Sequence, residues 1–328
     1  MPQHLIIDTD PGVDDAMALI LALRSPEVQV EAVTTVGGNV ALAQTTRNAL
    51  RVLELVNPRP RPVLAVGGAP PARRGAVRAK SVHGKDGLGE LDRFLRQDGS
   101  PMYPQVPIPP GLPSAKEVTL ELLERYPEEL LMVCLGPLTN LAGLIRTAPE
   151  KLRRLGGVIA MGGAIQTGGN VTPAAEFNIY ADPQAARIVF ASGLPLTLVP
   201  LDVTRQVRLH REDLEGLPQD GSDPVASFLR NSTAKALAFM EEREGTPSMA
   251  LHDPLAVGVA VQPSLVSTFP LHVEVETRGR LTCGMTVADR RPIRAEFKEP
   301  PNVQVALEVD SQRFLSFFKE RICPRWWS

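Results

Sequence analysis

The stretch Leu5-Ile6-Ile7-Asp8-Thr9-Asp10-Pro11-Gly12-Val13-Asp14-Asp15 ends a short apolar run in four closely spaced aspartates. A continuous apolar run of this length, stopped by Pro-Gly, has the signature of a buried strand. The residues that follow, 14–24, carry apolar side chains at helical spacing. Strand, acidic turn and helix form the first unit of an α/β sheet. Carboxylates this close repel, and each raises the pKa of the next unless a cation neutralises them. Oxygen-only donor sets suit hard cations such as Ca²⁺ or Mg²⁺. Helix capping accounts for Asp14 as N-cap and Asp15 against the helix dipole. It leaves Asp8 and Asp10 unexplained.

The same alternation continues outward. Apolar runs at Leu5–Asp8, Val28–Val36, Val63–Val66, Leu130–Leu135, Gly157–Met161 and Leu196–Leu201 read as strands. Between them, Ala41–Leu55, Ala115–Arg125, Leu138–Arg146 and Pro183–Ser192 read as helices. This pattern predicts an α/β fold: a Rossmann-like, mostly parallel central sheet with helices on both faces. A long helix is expected over Pro224–Glu244 and a closing one over Ser311–Arg321. Period-two patterns at Leu271–Glu276, Arg280–Thr286 and Val303–Val309 predict antiparallel or edge strands. The Pro-rich segment 101–113 is expected to be a surface loop, because the alternation resumes beyond it. Residues 1–328 are therefore expected to form a single domain.

Composition narrows the function. The chain has 328 residues, 43% apolar and 22% charged, with a net charge of −2. Its Lys and Arg are scattered, which argues against the basic face that nucleic-acid binding requires. Cys134, Cys283 and Cys323 have no metal-ligand spacing and suit a reducing compartment. No basic leader precedes the first apolar run, and no apolar stretch approaches a membrane span. A cytoplasmic enzyme is the expectation.

In open α/β sheets, ligands bind beyond the carboxyl ends of the strands. Asp8 and Asp10, Gly37-Gly38-Asn39, Gly67-Gly68, Gly136-Pro137 and Gly162-Gly163 all follow predicted strands. A second acidic element, His252-Asp253-Pro254, lies far along the chain. Of five histidines, His4, His210 and His272 read as structural or solvated. His83 lies in the Gly-rich stretch 81–89, which has the composition of a binding loop. The glycines of 161–170 lack the spacing of a nucleotide phosphate loop. Glu176 and Asn178 beyond them suit hydrogen bonds to sugar hydroxyls. An Asp-x-Asp after a strand also opens the haloacid-dehalogenase phosphatases, but their late Gly-Asp-x-x-x-Asp motif is missing. A calcium- or sugar-binding module without catalysis is the non-enzyme alternative.

Together these segments resemble the inosine–uridine-preferring nucleoside hydrolases. The likeness spans 8–15, 37–39, 82–89, 135–140, 161–178, 252–254 and 282–291. It implies hydrolysis of the N-glycosidic bond of ribonucleosides to ribose and free base, with one Ca²⁺ per subunit in a homodimer or homotetramer. Asp10, Asp15 and Asp253 match the family's metal carboxylates, and Leu135 its carbonyl ligand. Asp14 matches the general base. Asn39, Met161, Asn170, Glu176 and Asn178, with Phe177 between the last two, match the substrate pocket. His252 matches the acid near the leaving base, and His83 a loop histidine near the base. The helix before His252 offers no Tyr, as purine-preferring relatives do, and Ala250-Leu251 replaces the extra histidine of pyrimidine-selective ones. The resemblance therefore leaves base preference unresolved.

Overall fold

A computed structural model describes residues 2–71 and 80–326. Twelve strands are described: β1 (Gln3–Thr9), β2 (Val28–Thr35), β3 (Val63–Val66), β4 (Leu130–Cys134), β5 (Gly157–Met161), β6 (Leu196–Val199), β7 (Arg208–His210), β8 (Ser248–Ala250), β9 (Val266–Leu271), β10 (Val273–Val275), β11 (Thr286–Ala288) and β12 (Val303–Val309). Eight form one sheet in the order β3-β2-β1-β4-β5-β6-β12-β9. Every pairing in it is parallel except β12 with β9. The mostly parallel sheet with flanking helices is the architecture expected.

Strand alternation explains the two-sided burial. Leu5 and Ile7 of β1 enter an apolar cluster with helices Val13–Leu23, Pro224–Glu244 and His252–Val261. Ile6 points the other way, into a cluster with Ala115–Arg125, Thr139–Thr147 and Pro183–Phe190. A strand buried on both faces must be apolar throughout, which is why β1 reads as a continuous run.

The order of strands places the site. The chain runs from β1 outward through β2 and β3, then returns to place β4 on the other side of β1. The carboxyl ends of β1 and β4 therefore flank a topological switch point, where connections diverge and leave a crevice. Asp8 pairs there with Thr34 of β2 and Cys134 of β4.

Several local expectations are corrected. The helix after β1 starts at Val13 with Gly12 as N-cap, so Asp14 lies inside the first turn, and Asp15 takes the Gly12 amide at 2.9 Å. Residues 280–284 form a turn, closed by the Cys283 amide on the Gly279 carbonyl, and strand β11 begins only at Thr286. Their alternation misled because Leu281 is 72% exposed. Edge strand β9 was not legible: its side chains are largely solvated, so no burial alternation marks it. The ladder of β7 with β8 was equally silent, at three residues per strand. His83 ends a helical turn, Lys80–His83, and is buried rather than looped out.

Candidate active site

A cavity of about 590 Å³ opens at the switch point. Its deep end is built by the acidic turn. Asp15 is fully buried and accepts from Thr9 Oγ1 at 2.5 Å, Gly12 N at 2.9 Å and Asn39 Nδ2 at 3.1 Å. Asp10 accepts from the Asn39 amide at 2.6 Å. A Cβ on Gly38 would stand 2.0 Å from Asp10 Oδ2, so only glycine lets β2's end approach the carboxylate. Asp253 reaches the same place from the start of helix His252–Val261. Oxygens of Asp14, Asp15 and Asp253 lie within 4.8 Å of one another, all buried. Asp10 stands outside that triplet but close enough to raise the pKa of Asp253.

This donor set fits a hard cation. Burial first, then the neighbouring carboxylates, push Asp10 and Asp253 well above the usual carboxylate range. Burial holds Asp14 at about 6. So much negative charge in a buried pocket is unfavourable until neutralised, and every donor is oxygen. Leu135 lines the same cavity, and its carbonyl accepts from Asn178 Nδ2 at 2.7 Å.

The remaining residues singled out in the sequence divide between lining and support. Asn39, Met161, Asn170, Glu176, Phe177 and Asn178 all line the cavity. Glu176 spends its carboxylate on the backbone, taking the amides of Gly163 at 3.0 Å, Asn178 at 2.9 Å and Ile179 at 3.1 Å. Asn170 Oδ1 takes the Phe177 amide at 2.9 Å. The expected sugar contacts of these two therefore compete with local structural roles.

Both histidines line the cavity and both are neutral. His83 Nδ1 accepts from the Val13 amide at 3.0 Å, which leaves the ring proton on Nε2, and burial pushes its pKa down to about 4. His252 Nδ1 meets Thr204 Oγ1 at 2.7 Å. Burial, then the charge of Arg205, push His252 down to about 3. The buried setting beside Arg205 and Arg208 disfavours the charged form of the His252 ring.

Sequence reasoning missed a supporting unit directly after β6. Asp202 accepts the amides of Ile165 at 2.8 Å and Gln166 at 2.6 Å. Arg205 donates to Thr167 Oγ1 at 2.9 Å, Gly168 O at 3.0 Å and Gly169 O at 2.7 Å. With Thr204 on His252, the helical turn Leu201–Thr204 and Arg205 hold two walls of the cavity at once. Polar residues just beyond a strand's carboxyl end were the available signal. Asp8 is also explained: it takes Thr34 Oγ1 at 2.5 Å and Asn140 Nδ2 at 2.7 Å, tying β1 to β2 and to helix Thr139–Thr147.

Comparison with known proteins places the chain in a family. The sequence pattern of the inosine-uridine preferring nucleoside hydrolase family matches residues 5–316. The chain is 39% identical over 323 residues to the pyrimidine-specific ribonucleoside hydrolase RihA of Citrobacter koseri, covering 98% of each. A plant nucleoside hydrolase structure superposes with a TM-score of 0.85 at 35% identity, over 98% of this chain and 99% of that one. The purine-preferring ribonucleoside hydrolase from Gardnerella vaginalis superposes with a TM-score of 0.86 at 34% identity, over 98% of each.

Proposed function

The chain belongs to the inosine-uridine preferring nucleoside hydrolase family and is a ribonucleoside N-glycosidase, and from that premise we propose that it is a calcium-dependent hydrolase preferring pyrimidine ribonucleosides. The observation that carries the reading is the convergence of buried Asp14, Asp15 and Asp253 at the floor of a cavity also lined by Asn39 and Asn178. The pyrimidine preference is supported by the similarity to RihA over nearly the whole chain. We take residues 1–328 as a single domain, working in a cytoplasmic homodimer or homotetramer.

In this reading Asp10, Asp15, Asp253 and the Leu135 carbonyl would hold the ion. Calcium would supply positive charge to the vicinal ribose hydroxyls and increase the acidity of the attacking water. Asn39 and Asn178 orient the sugar through amide groups already fixed by hydrogen bonds to the acidic turn and to Leu135. Asp14 accepts the water's proton; as the buried carboxylate poised at about 6, it is a competent base at neutral pH. His252 offers the departing base a hydrogen bond from a neutral ring whose Nδ1 is engaged by Thr204.

The test is a panel of uridine, cytidine, inosine, adenosine, deoxyuridine and a phosphomonoester, with ribose and phosphate measured after chelation and after calcium is restored. Ribose from uridine, restored by calcium, with deoxyuridine poorly cleaved, is expected. Phosphate release, or full turnover under chelation, would overturn the reading.

A further inference from the structure

We propose that Thr204 is a positioning residue that sets the tautomer of His252, placing the ring proton on Nε2 so that a neutral imidazole can donate a hydrogen bond to the departing base. The proposal rests on the hydrolase reading above and adds to it the group that makes His252 a donor.

A neutral imidazole carries one proton, and the partner of one nitrogen decides where that proton sits. Thr204 Oγ1 and His252 Nδ1 stand 2.7 Å apart, a distance at which either could donate. The hydroxyl decides the direction. Thr204 is fully buried, and its Oγ1 has no other hydrogen-bond partner among the described residues. Were Nδ1 protonated, it would donate to Oγ1, and the hydroxyl proton would be buried without a protein acceptor. With Nδ1 bare, the hydroxyl donates to it and both groups are satisfied. The second arrangement is the more stable, and it sends the ring proton to Nε2. His252 lines the cavity, and its Nε2 has no protein partner among the described residues, so that N–H is unspent. His83 reaches the same tautomer through the Val13 amide, which can only donate.

The fold presses the pair together from two sides. Val207 O accepts from the Leu251 amide at 2.9 Å, and the β7–β8 ladder begins one residue on, with Arg208 opposite Ala250. Thr204 lies just before β7 and His252 just after β8, so this three-residue ladder sets their backbones against each other. On the other side, the Leu201 amide donates to Gly163 O at 2.9 Å and the Thr204 amide to Pro200 O at 3.2 Å, which closes the turn against the segment after β5. The branched threonine side chain has few rotamers, so the hydroxyl keeps its aim. As the C1′–N bond breaks, its electron pair passes to the base, and a hydrogen bond from Nε2 strengthens with the charge the base gains.

The experiment uses the whole protein labelled with ¹⁵N-histidine. Long-range proton–nitrogen correlation spectra read the tautomer of each ring, and His252→Gln identifies the His252 signals. The wild type is expected to carry the His252 proton on Nε2. In Thr204→Val, which keeps the shape and lacks the hydroxyl, the His252 signals should move toward the Nδ1–H pattern while those of His83 stay. On uridine, kcat should fall by about tenfold in Thr204→Val, and Thr204→Ser should recover most of the loss. On p-nitrophenyl riboside, which departs as a stable anion, the fall should be about twofold or less. A His252 proton on Nδ1 in the wild type overturns the proposal, and that measurement needs no variant of Thr204 to fold. Unchanged uridine turnover in folded Thr204→Val, equal losses on both substrates, or no recovery in Thr204→Ser overturns it as well. Ribose from none of the ribosides would overturn the hydrolase reading itself, whereas the tautomer is read without turnover.

Discussion

Asp14 and Asp15 are neighbours with the same side chain, yet their surroundings differ, and the proposed mechanism gives them different tasks. Asp15 is saturated by Thr9, Gly12 and Asn39, which fixes it as a rigid donor of oxygen. Asp14 lines the cavity and stands 3.9 Å from His83. Asp14→Asn keeps the size and cannot take a proton, so kcat should fall by about 10²–10⁴ while calcium stays bound. Steady-state kinetics paired with calcium analysis decides this, and near-wild-type turnover would remove Asp14 as the base. His252 differs from the expected acid because it is neutral well above its depressed pKa of about 3. As the hydrogen-bond donor of the proposed mechanism, it would matter most to a poor leaving group. His252→Ala should therefore slow uridine by about tenfold or more beyond its effect on p-nitrophenyl riboside, which departs as a stable anion. Equal losses on both substrates would mark His252 as a positioner of Asp253.

At the scale of elements, helix Leu42–Val56 links the segment after His83 to the acidic turn. Asn48 on that helix is buried and divides its two amide protons between Pro11 O at 2.9 Å and Asp86 O at 2.8 Å. Asp86 in turn holds the loop in shape by accepting the amides of Leu88, Glu90 and Leu91. Asn48 thus helps to register the loop and the turn to each other. Asn48→Leu leaves the buried Pro11 carbonyl unpaired, a cost of about 1–3 kcal/mol, and frees the part-buried Asp86 carbonyl as well. It should lower the midpoint of denaturant unfolding and raise KM more than it lowers kcat, because the residue touches no reacting group. A variant with unchanged stability and unchanged KM would show that the loop is held by its other contacts, chiefly His83 on Val13.

For the whole molecule, the buried carboxylates couple the fold to pH and to the ion. Burial raises Asp8 and Asp14 from 3.8 to about 6. A carboxyl whose folded pKa is raised holds its proton more tightly when folded. Its contribution to stability is present below about pH 4 and is lost as pH rises through about 6. Above that, the charged cluster opposes folding unless a cation neutralises it. The histidines act in the opposite sense: their depressed pKa values make the fold less stable as pH falls below about 6.5. Calcium binds deprotonated carboxylates, so protons compete with it on the acid side. The rise in melting temperature on adding calcium to chelated protein should amount to several degrees at about pH 7.5 and shrink at about pH 5. An equal shift at both pH values, followed by differential scanning calorimetry, would contradict a carboxylate site of raised pKa.

The chain's own pattern determined the sheet, because a strand buried on both faces has to be apolar and a βα turn has to hold polar residues and glycine. Asp8 to Asp15 and His252-Asp253 were legible for the same reason: so many carboxylates near a buried strand end have no cheap structural explanation. Segments with weak burial were not legible. Strand β9 is solvated, β7 and β8 are three residues long, and Leu281 imitates alternation without being buried. Only the tertiary structure decided that Asp253 meets Asp14 and Asp15 across more than two hundred residues, that Arg205 and Asp202 grip the 165–169 loop, and that both cavity histidines are neutral. Those are properties of distance and desolvation between remote segments, and a linear pattern carries neither.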